Sequence, residues 1–533
     1  MTDMAFVMPL VFLFGGMKGA KTLLGDGDTG WHLRTGEWIL AHGRVPDRDI
    51  FSFTRPGQPW FAWEWLWDVL FGWLHLHAGM AAVLVASSLV LAFTFALLFR
   101  LVRRQCGDAL VALAITLLAA AGSAGHWLAR PHLFTMLFTV LFCSILDRVA
   151  GRPGARGLLW LLPPLTVLWT NLHGGFFVGI MLAAAYAAGE FALLLRETDA
   201  GKRRAALKRG RAYLLAAGGC FLASFVNPYF YRLHAHIFAY LSDGFFRGNI
   251  TEFQSLNFQS TQARYFEVML LAGAAAAFWH VCRGRLVWPL LFALWAHLSL
   301  YSARNVEIFV LLAAPPAAEI IAEGLRRAPA MPWAGWLRGG LNAFRNLTQE
   351  LSALDRAPRW HVASALAVLA LASVFQAPQA PSRYRAEYDP KSYPVAAADL
   401  LEKAGLFRGV FTQDLWGGYL IYRCYPRVRV FMDGRSDFYG ADFTKKYIQA
   451  IGVQAGWEAY LDRYAVDTIL LPPDVPLAGA LKQSSSWRLI YDDGVALVFR
   501  SARAAPLQLE SASAGAAGNR AGIATPHPKN KPL

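Results

Sequence analysis

Residues 25–34 read Gly25-Asp26-Gly27-Asp28-Thr29-Gly30-Trp31-His32-Leu33-Arg34, straight after an apolar run over about 4–23. Two carboxylates one residue apart in a glycine-rich turn can share a cation, or leave one oxygen free as a base. Asp28 can equally cap a helix that starts near Trp31. His32 follows Asp28 by four residues, so both can face one cleft from the first helical turn. Ionisable groups at the edge of an apolar run are costly and default to a functional reading.

The whole chain fits a membrane reading. Its 533 residues are 56% hydrophobic and only 16% charged, against about 25% charged in an ordinary globular chain. Mean hydropathy is +0.33. These figures exclude a disordered protein, a collagen-like fibre and a typical cytosolic enzyme. Apolar runs of spanning or near-spanning length lie near 4–23, 80–102, 108–125, 133–147, 157–171, 174–195, 211–226, 265–282, 286–301, 305–323 and 361–377, which predicts about eleven transmembrane helices. The first run has an acidic flank, Asp3, and no small-residue cleavage site, so it is read as a retained span and not a signal peptide.

The net charge of +15 sets orientation. With the N-terminus in the cytoplasm, one side receives Arg100, Arg103 and Arg104, then Arg148, Arg152 and Arg156, then the Arg196–Arg211 cluster, then Arg283 and Arg285, then Arg326 to Arg359. The short loops opposite hold little beyond Arg130 and Arg304. This bias puts the C-terminus outside and removes any argument for nucleic acid. Segment 60–78 carries Glu64 and Asp68 among Trp60, Trp63, Trp65, Trp67 and Trp73. It is predicted as a helix in the outer interface, or partly re-entrant, with its tryptophans as an aromatic belt. The five cysteines form no metal or redox motif, and only Cys424 falls in the outer C-terminal part.

Polar residues gather in the outer turns: His126 to His132 around Arg130, Asn171-Leu172-His173-Gly174-Gly175, Asn227-Pro228-Tyr229 and Tyr301 to Asn305 around Arg304. Arg130 and Arg304 stand where positive charge is disfavoured, and a guanidinium suits a phosphate. His132 and His173 can join them at a phosphate leaving group. Each of these residues also has a structural reading, as an ion-pair partner or a turn former. Glu64, an acid among tryptophans, should have a raised pKa or a partner. Asp47 and Asp49 read as turn residues.

Residues 378–502 have soluble composition, with helices predicted at 394–404, 442–451 and 457–464 and strands at 410–412, 428–432, 468–471, 489–491 and 496–499. This pattern predicts a small extracytoplasmic α/β domain after a mainly helical membrane domain over 1–377. Its sharpest loop, Met432-Asp433-Gly434-Arg435-Ser436-Asp437, follows a buried-looking strand. Asp433 and Arg435 there are either ligand contacts or an internal salt bridge. Residues 503–533 read as a disordered tail.

Taken together, the arrangement resembles the GT-C superfamily of membrane glycosyltransferases. Asp28-Thr29-Gly30-Trp31-His32-Leu33, Val45-Pro46, Phe51-Ser52-Phe53-Thr54, Trp63-Glu64-Trp65-Leu66, Asn171-Leu172-His173-Gly174-Gly175 and Asp433-Gly434-Arg435 are similar to a bacterial group of GT-C-like proteins. The adjacent Asp-Glu pair of many GT-C enzymes is replaced by Asp26-Gly27-Asp28. The resemblance implies inverting transfer of a sugar from a polyprenyl-phosphate carrier to the hydroxyl of a glycan, lipid or protein acceptor, on the outer face of a bacterial inner membrane. It implies Asp28 as general base and Asp26 or Glu64 as orienting group. Asp26 and Asp28 are the expected ligands of a divalent cation, Mg or Mn, if one is used. His32, Arg130, His132, His173, Arg304, Asp433 and Arg435 are the expected substrate- and phosphate-binding residues. Rival readings are a flippase for lipid-linked glycans and a non-catalytic scaffold of an envelope polysaccharide complex.

Overall fold

The computed structural model describes residues 1–16, 18–328, 338–356, 361–377, 379–406 and 409–504. The tail predicted from residue 503 therefore lies, from 505 on, outside the described residues. The chain begins with α1 (Thr2–Gly15), α2 (Asp28–His42), α3 (Trp65–Cys106), α4 (Ala109–Ser123), α5 (His132–Gly151), α6 (Leu162–Leu172), α7 (Phe177–Leu193) and α8 (Ala200–Ala223). It continues through α9 (Tyr231–Ser242), α10 (Gly244–Asn249), α11 (Thr261–Cys282), α12 (Val287–Tyr301), α13 (Val306–Arg327), α14 (Arg338–Arg356) and α15 (Val362–Gln376).

Among the described residues, six helical stretches are long and apolar enough to cross a membrane: 65–106, 109–126, 132–151, 174–193, 261–282 and 303–327. Shorter apolar helices cover 2–15, 287–301 and 362–375. This is the architecture of a multi-pass membrane protein. At its centre, every residue of α13 from Val306 to Ala318 is buried, as expected of a helix apolar on all sides. The periphery does the opposite: Leu215 and Leu222 of α8 and Leu271 and Phe278 of α11 are exposed, an apolar outer face of the kind lipid covers.

Two sequence expectations change here. The first apolar run is not one helix: α1 stops at Gly15, and Gly19–Leu24 form a short 3-10 helix. The flexible Gly15-Gly16 pair ends the helix, and Lys21 then turns inward to Glu387 and Asp389, 3.7 Å from each. The tryptophans of 60–73 are not a uniform belt either. Trp60 and Trp67 are core residues, while Trp73 is half exposed. The helix that carries Trp67 and Trp73, α3, leaves helical geometry at Gly79 (φ 69°) before running on to Cys106, a conformation only glycine adopts cheaply.

The C-terminal part holds α16 (Val395–Lys403), β1 (Val410–Thr412), α17 (Asp414–Cys424), α18 (Ser436–Tyr439), α19 (Ala441–Ile451), α20 (Trp457–Arg463), β2 (Thr468–Leu471), α21 (Pro476–Gln483), β3 (Trp487–Asp492) and β4 (Leu497–Ser501). The sheet order is β1-β2-β4-β3, with β1 and β2 parallel and the others antiparallel. The strand expected over 428–432 makes only isolated bridges, through Val430 to Val410 and to Ser52 of the first loop. Backbone bonds from Val430 N to Phe51 O and from Phe53 N to Val430 O tie these segments together at 3.1 Å. No helix is predicted between the 410–412 and 428–432 strands, yet α17 fills most of that interval. This helix lies so close to the start of α2 that a Cβ on Gly418 would strike the carbonyl of Gly27. First loop and C-terminal part thus share one core.

Candidate active site

The Asp26–Asp28 turn is held from both sides. Ala129 N donates to Leu23 O at 2.7 Å, and Thr29 Oγ1 donates to Ala129 O at 3.1 Å. The 127–131 turn is thereby stapled to the loop and delivers Arg130 into it. Arg130 Nη1 lies 2.5 Å from Asp26 Oδ2, and Nη2 lies 3.0 Å from Asp28 Oδ2. One planar fork spans both carboxylates, a geometry that guanidinium groups favour. The capping role shifts by two residues: Asp28 is the first residue of α2, and Asp26 Oδ1 accepts the Asp28 N–H at 2.9 Å. Burial and the charge of Asp26 push the Asp28 carboxyl up to about 7 against the pull of Arg130. The two carboxylates raise the Arg130 guanidinium despite its burial.

A second cluster adjoins the first. His32, fully buried and stacked on Trp31 at 3.6 Å, places Nδ1 2.7 Å from Asp68 Oδ1 and Nε2 3.4 Å from Glu64 Oε2. The other Glu64 oxygen, Oε1, lies 3.4 Å from His173 Nε2. The proton of His173 sits on that Nε2, because its Nδ1 accepts the Gly175 N–H at 3.1 Å. Thr135 Oγ1, which accepts the Trp169 indole N–H at 2.9 Å, is 2.7 Å from the same Nδ1. Burial pushes Glu64 up to about 8, outweighing the attraction of Arg130. Burial and the nearby Arg130 hold His32 well below the usual histidine range; for His173 the causes are burial and His132. Glu64 at neutral pH is therefore an acid group between two neutral imidazoles, with 11% of its side chain open to solvent. An apolar groove of about 480 Å³ opens beside it, between Trp65 and Leu66 of α3, Val167, Leu168 and Asn171 of α6, and the Val226–Pro228 turn.

The expected phosphate ligands have different fates. Arg130 is already neutralised by two carboxylates. His132 Nε2 is engaged by the carbonyl of His126 at 2.5 Å. Arg304 is the more available: it packs over Phe253, reaches Glu252 only at 3.7 Å, and keeps a third of its side chain in solvent. Glu252, lowered by Arg304 and Arg130 against its burial, was not anticipated from sequence.

Asp433 and Arg435 do not face the cleft. Arg435 Nε lies 2.7 Å from Asp433 Oδ1 and Nη2 lies 2.8 Å from Asp49 Oδ1, and all three residues are buried. Tyr439 donates its hydroxyl to Asp433 at 2.9 Å, while Asp49 also accepts from Ser52 N and Ser52 Oγ. The internal salt bridge is the correct reading, and Asp49 is more than a turn former. The loop still touches the site through Gly434, whose missing side chain leaves room for the Asp28 carboxylate. Asp68 too went unassigned, because its spacing from His32 crosses a loop and a helix start.

The cation expected on Asp26 and Asp28 does not fit the residues present. Arg130 fills the bridging position between the carboxylates, and Asp26 Oδ1 is spent on its own turn. A Mg or Mn ion shared by the pair would need the carboxylate oxygens that the guanidinium already holds, and among the described residues no group of three or more His, Cys, Asp or Glu side chains is placed to hold an ion.

No family model matches the sequence, and no curated protein sequence matches it. Solved structures do. The apo oligosaccharyltransferase of Archaeoglobus fulgidus aligns with a TM-score of 0.54 at 12% identity, over 88% of this chain and 69% of that one. The oligosaccharyltransferase AglB of the same organism, in complex with an inhibitory peptide and a dolichol-phosphate, gives 0.54 at 11% identity over 95% and 74%. The chain shares the fold of these oligosaccharyltransferases. ArnT from Cupriavidus metallidurans bound to undecaprenyl phosphate aligns at 16% identity over 93% of this chain and 97% of that one, but its TM-score of 0.44 carries no argument. At such identities the likeness establishes the fold alone, since one fold hosts many chemistries.

Proposed function

We propose that this protein is a membrane glycosyltransferase that moves a sugar from a polyprenyl-phosphate carrier to an acceptor hydroxyl, with inversion, on the extracytoplasmic face of a bacterial inner membrane. One observation carries the reading: a buried acid group with a raised pKa, Glu64, beside an arginine-bridged carboxylate pair in a GT-C-like fold. The lipid-phosphate complex of the archaeal neighbour supports a lipid-linked donor. Eleven spans, with the arginine-rich ends of α3, α5, α8 and α13 in the cytoplasm, give the orientation. The acceptor is a glycan, lipid or protein.

Sequence reading assigns the acceptor proton to Asp28. The geometry favours Glu64, since a carboxylate bound to a guanidinium is a weaker base than one between neutral imidazoles. Glu64 first releases its own proton to solvent at its exposed edge; the carboxylate then takes the hydroxyl proton as the acceptor oxygen attacks the anomeric carbon, and the bond from that carbon to the phosphate oxygen breaks with its electron pair leaving on the lipid phosphate. His173 Nε2–H steadies the ionised carboxylate. Arg304 meets the departing lipid phosphate, and the prenyl tail lies in the groove beside Trp65. Asp26, Asp28 and Arg130 frame the acceptor.

The test is mass spectrometry of lipid retained by the purified protein. Wild type should retain a polyprenyl phosphate or its sugar adduct, lost in Arg304→Ala. Recovery of bulk phospholipid alone, in both proteins, would count against it.

A further inference from the structure

We propose that Arg130 is a built-in substitute for a bridging divalent cation, so that the Asp26–Asp28 pair of this chain works without a metal ion. An Asp-x-Asp turn offers four carboxylate oxygens, and three are spoken for. Asp26 Oδ2 and Asp28 Oδ2 lie 2.5 and 3.0 Å from the two terminal nitrogens of a single guanidinium, and Asp26 Oδ1 accepts the Asp28 N–H. The guanidinium thus stands on the line between the carboxylates, where an ion shared by both would stand. It comes with the scaffold: the bonds of Ala129 to Leu23 and Thr29 hold its turn against the carboxylate turn.

The substitution has a chemical consequence. A divalent ion brings two positive charges and open coordination positions that can receive substrate oxygen. Arg130 brings one charge and a fixed planar fork that is always protonated. Asp26 and Asp28 are then held in place, and the site is independent of metal supply and of chelators. Proton transfer falls to Glu64, which no guanidinium touches. The structural part of this inference holds whatever group the site transfers; its consequence for the reaction rests on the glycosyltransferase reading.

The experiment is manganese binding to the full-length protein in lipid nanodiscs, read by electron paramagnetic resonance without any substrate. Wild type should bind no Mn²⁺ at stoichiometric level. Arg130→Met, which removes the charge and roughly keeps the volume, should bind one Mn²⁺ at least tenfold more tightly than wild type. Adding Asp28→Asn to that variant should abolish the site, and Arg130→Lys should behave as wild type. One Mn²⁺ bound to wild type and lost in Asp28→Asn would overturn the inference; this arm needs no arginine variant to fold. A folded Arg130→Met that binds no more tightly than wild type would overturn it as well. A protein that binds no manganese and also transfers no sugar would sink the functional proposal while leaving this inference standing.

Discussion

Gly434 of the C-terminal part packs directly on the carboxylate of Asp28 in the first loop, with no space for a Cβ between them. The two residues are distant in sequence, yet one forms the wall of the other's pocket. Gly434→Ala should displace the Asp28 carboxylate from Arg130, at an overpacking cost of about 1–3 kcal/mol. Activity should fall at least tenfold while the melting temperature drops by only a few degrees. Full activity with the methyl group in place would show that Asp28 need not stay where it is.

Asp49, Arg435 and Asp433 form a buried charge cluster joining the first loop to the C-terminal part. Removing one member leaves another charge buried and unpaired, which costs about 3–5 kcal/mol. Arg435→Met should therefore destabilise the protein severely, and Asp49→Asn in the same chain should add little, since the two share one interaction. Denaturant unfolding of both variants and the double mutant measures the coupling. Additive losses would mean that Asp49 and Arg435 are independent.

Acting as base, Glu64 must lose its proton. With its carboxyl raised to about 8 by burial, and His32, His173, Arg130, Arg304 and Asp437 as its charged or titratable surroundings, transfer should speed up as pH rises and level off above about 8. Stability should run the other way. The folded-state pKa values of Glu64, about 8, and Asp28, about 7, exceed their ordinary 4.5 and 3.8, so the folded chain holds protons that the unfolded chain has released. Their contribution is complete below pH 4 and is lost as pH rises through 7 to 8. A rate that falls across that range would make Glu64 an acid and not a base.

Much of this was legible in the sequence, and the remainder failed for identifiable reasons. Apolar runs and the turn chemistry of Gly25–Gly30 carry local information, so the helices and the Asp26, Asp28, His32 and Glu64 set emerge from reading along the chain. The α16, β1, β2, α19 and α20 elements do as well. Partnerships are non-local. Nothing near Arg435 announces Asp49, and nothing near Asp26 announces that Arg130 will arrive on a turn roughly a hundred residues later and fill the place expected for a cation. The α17 helix was missed because Gly417 and Gly418 read as loop formers; they serve close packing on Met432 and Gly27. Aromatic composition likewise misled for Trp60 and Trp67, which fill the core where an interfacial belt was expected.

Sugar transfer in proteoliposomes supplied with extracted polyprenyl-phosphate sugars, comparing wild type with Glu64→Gln, decides whether Glu64 is the base of a sugar transfer. Wild type should transfer sugar in the presence of chelator, and Glu64→Gln should lose about 10²–10⁴-fold in kcat with the donor still bound, the range expected when a general base is removed. Equal transfer by the two proteins, or no transfer by wild type from any donor pool, would contradict that role.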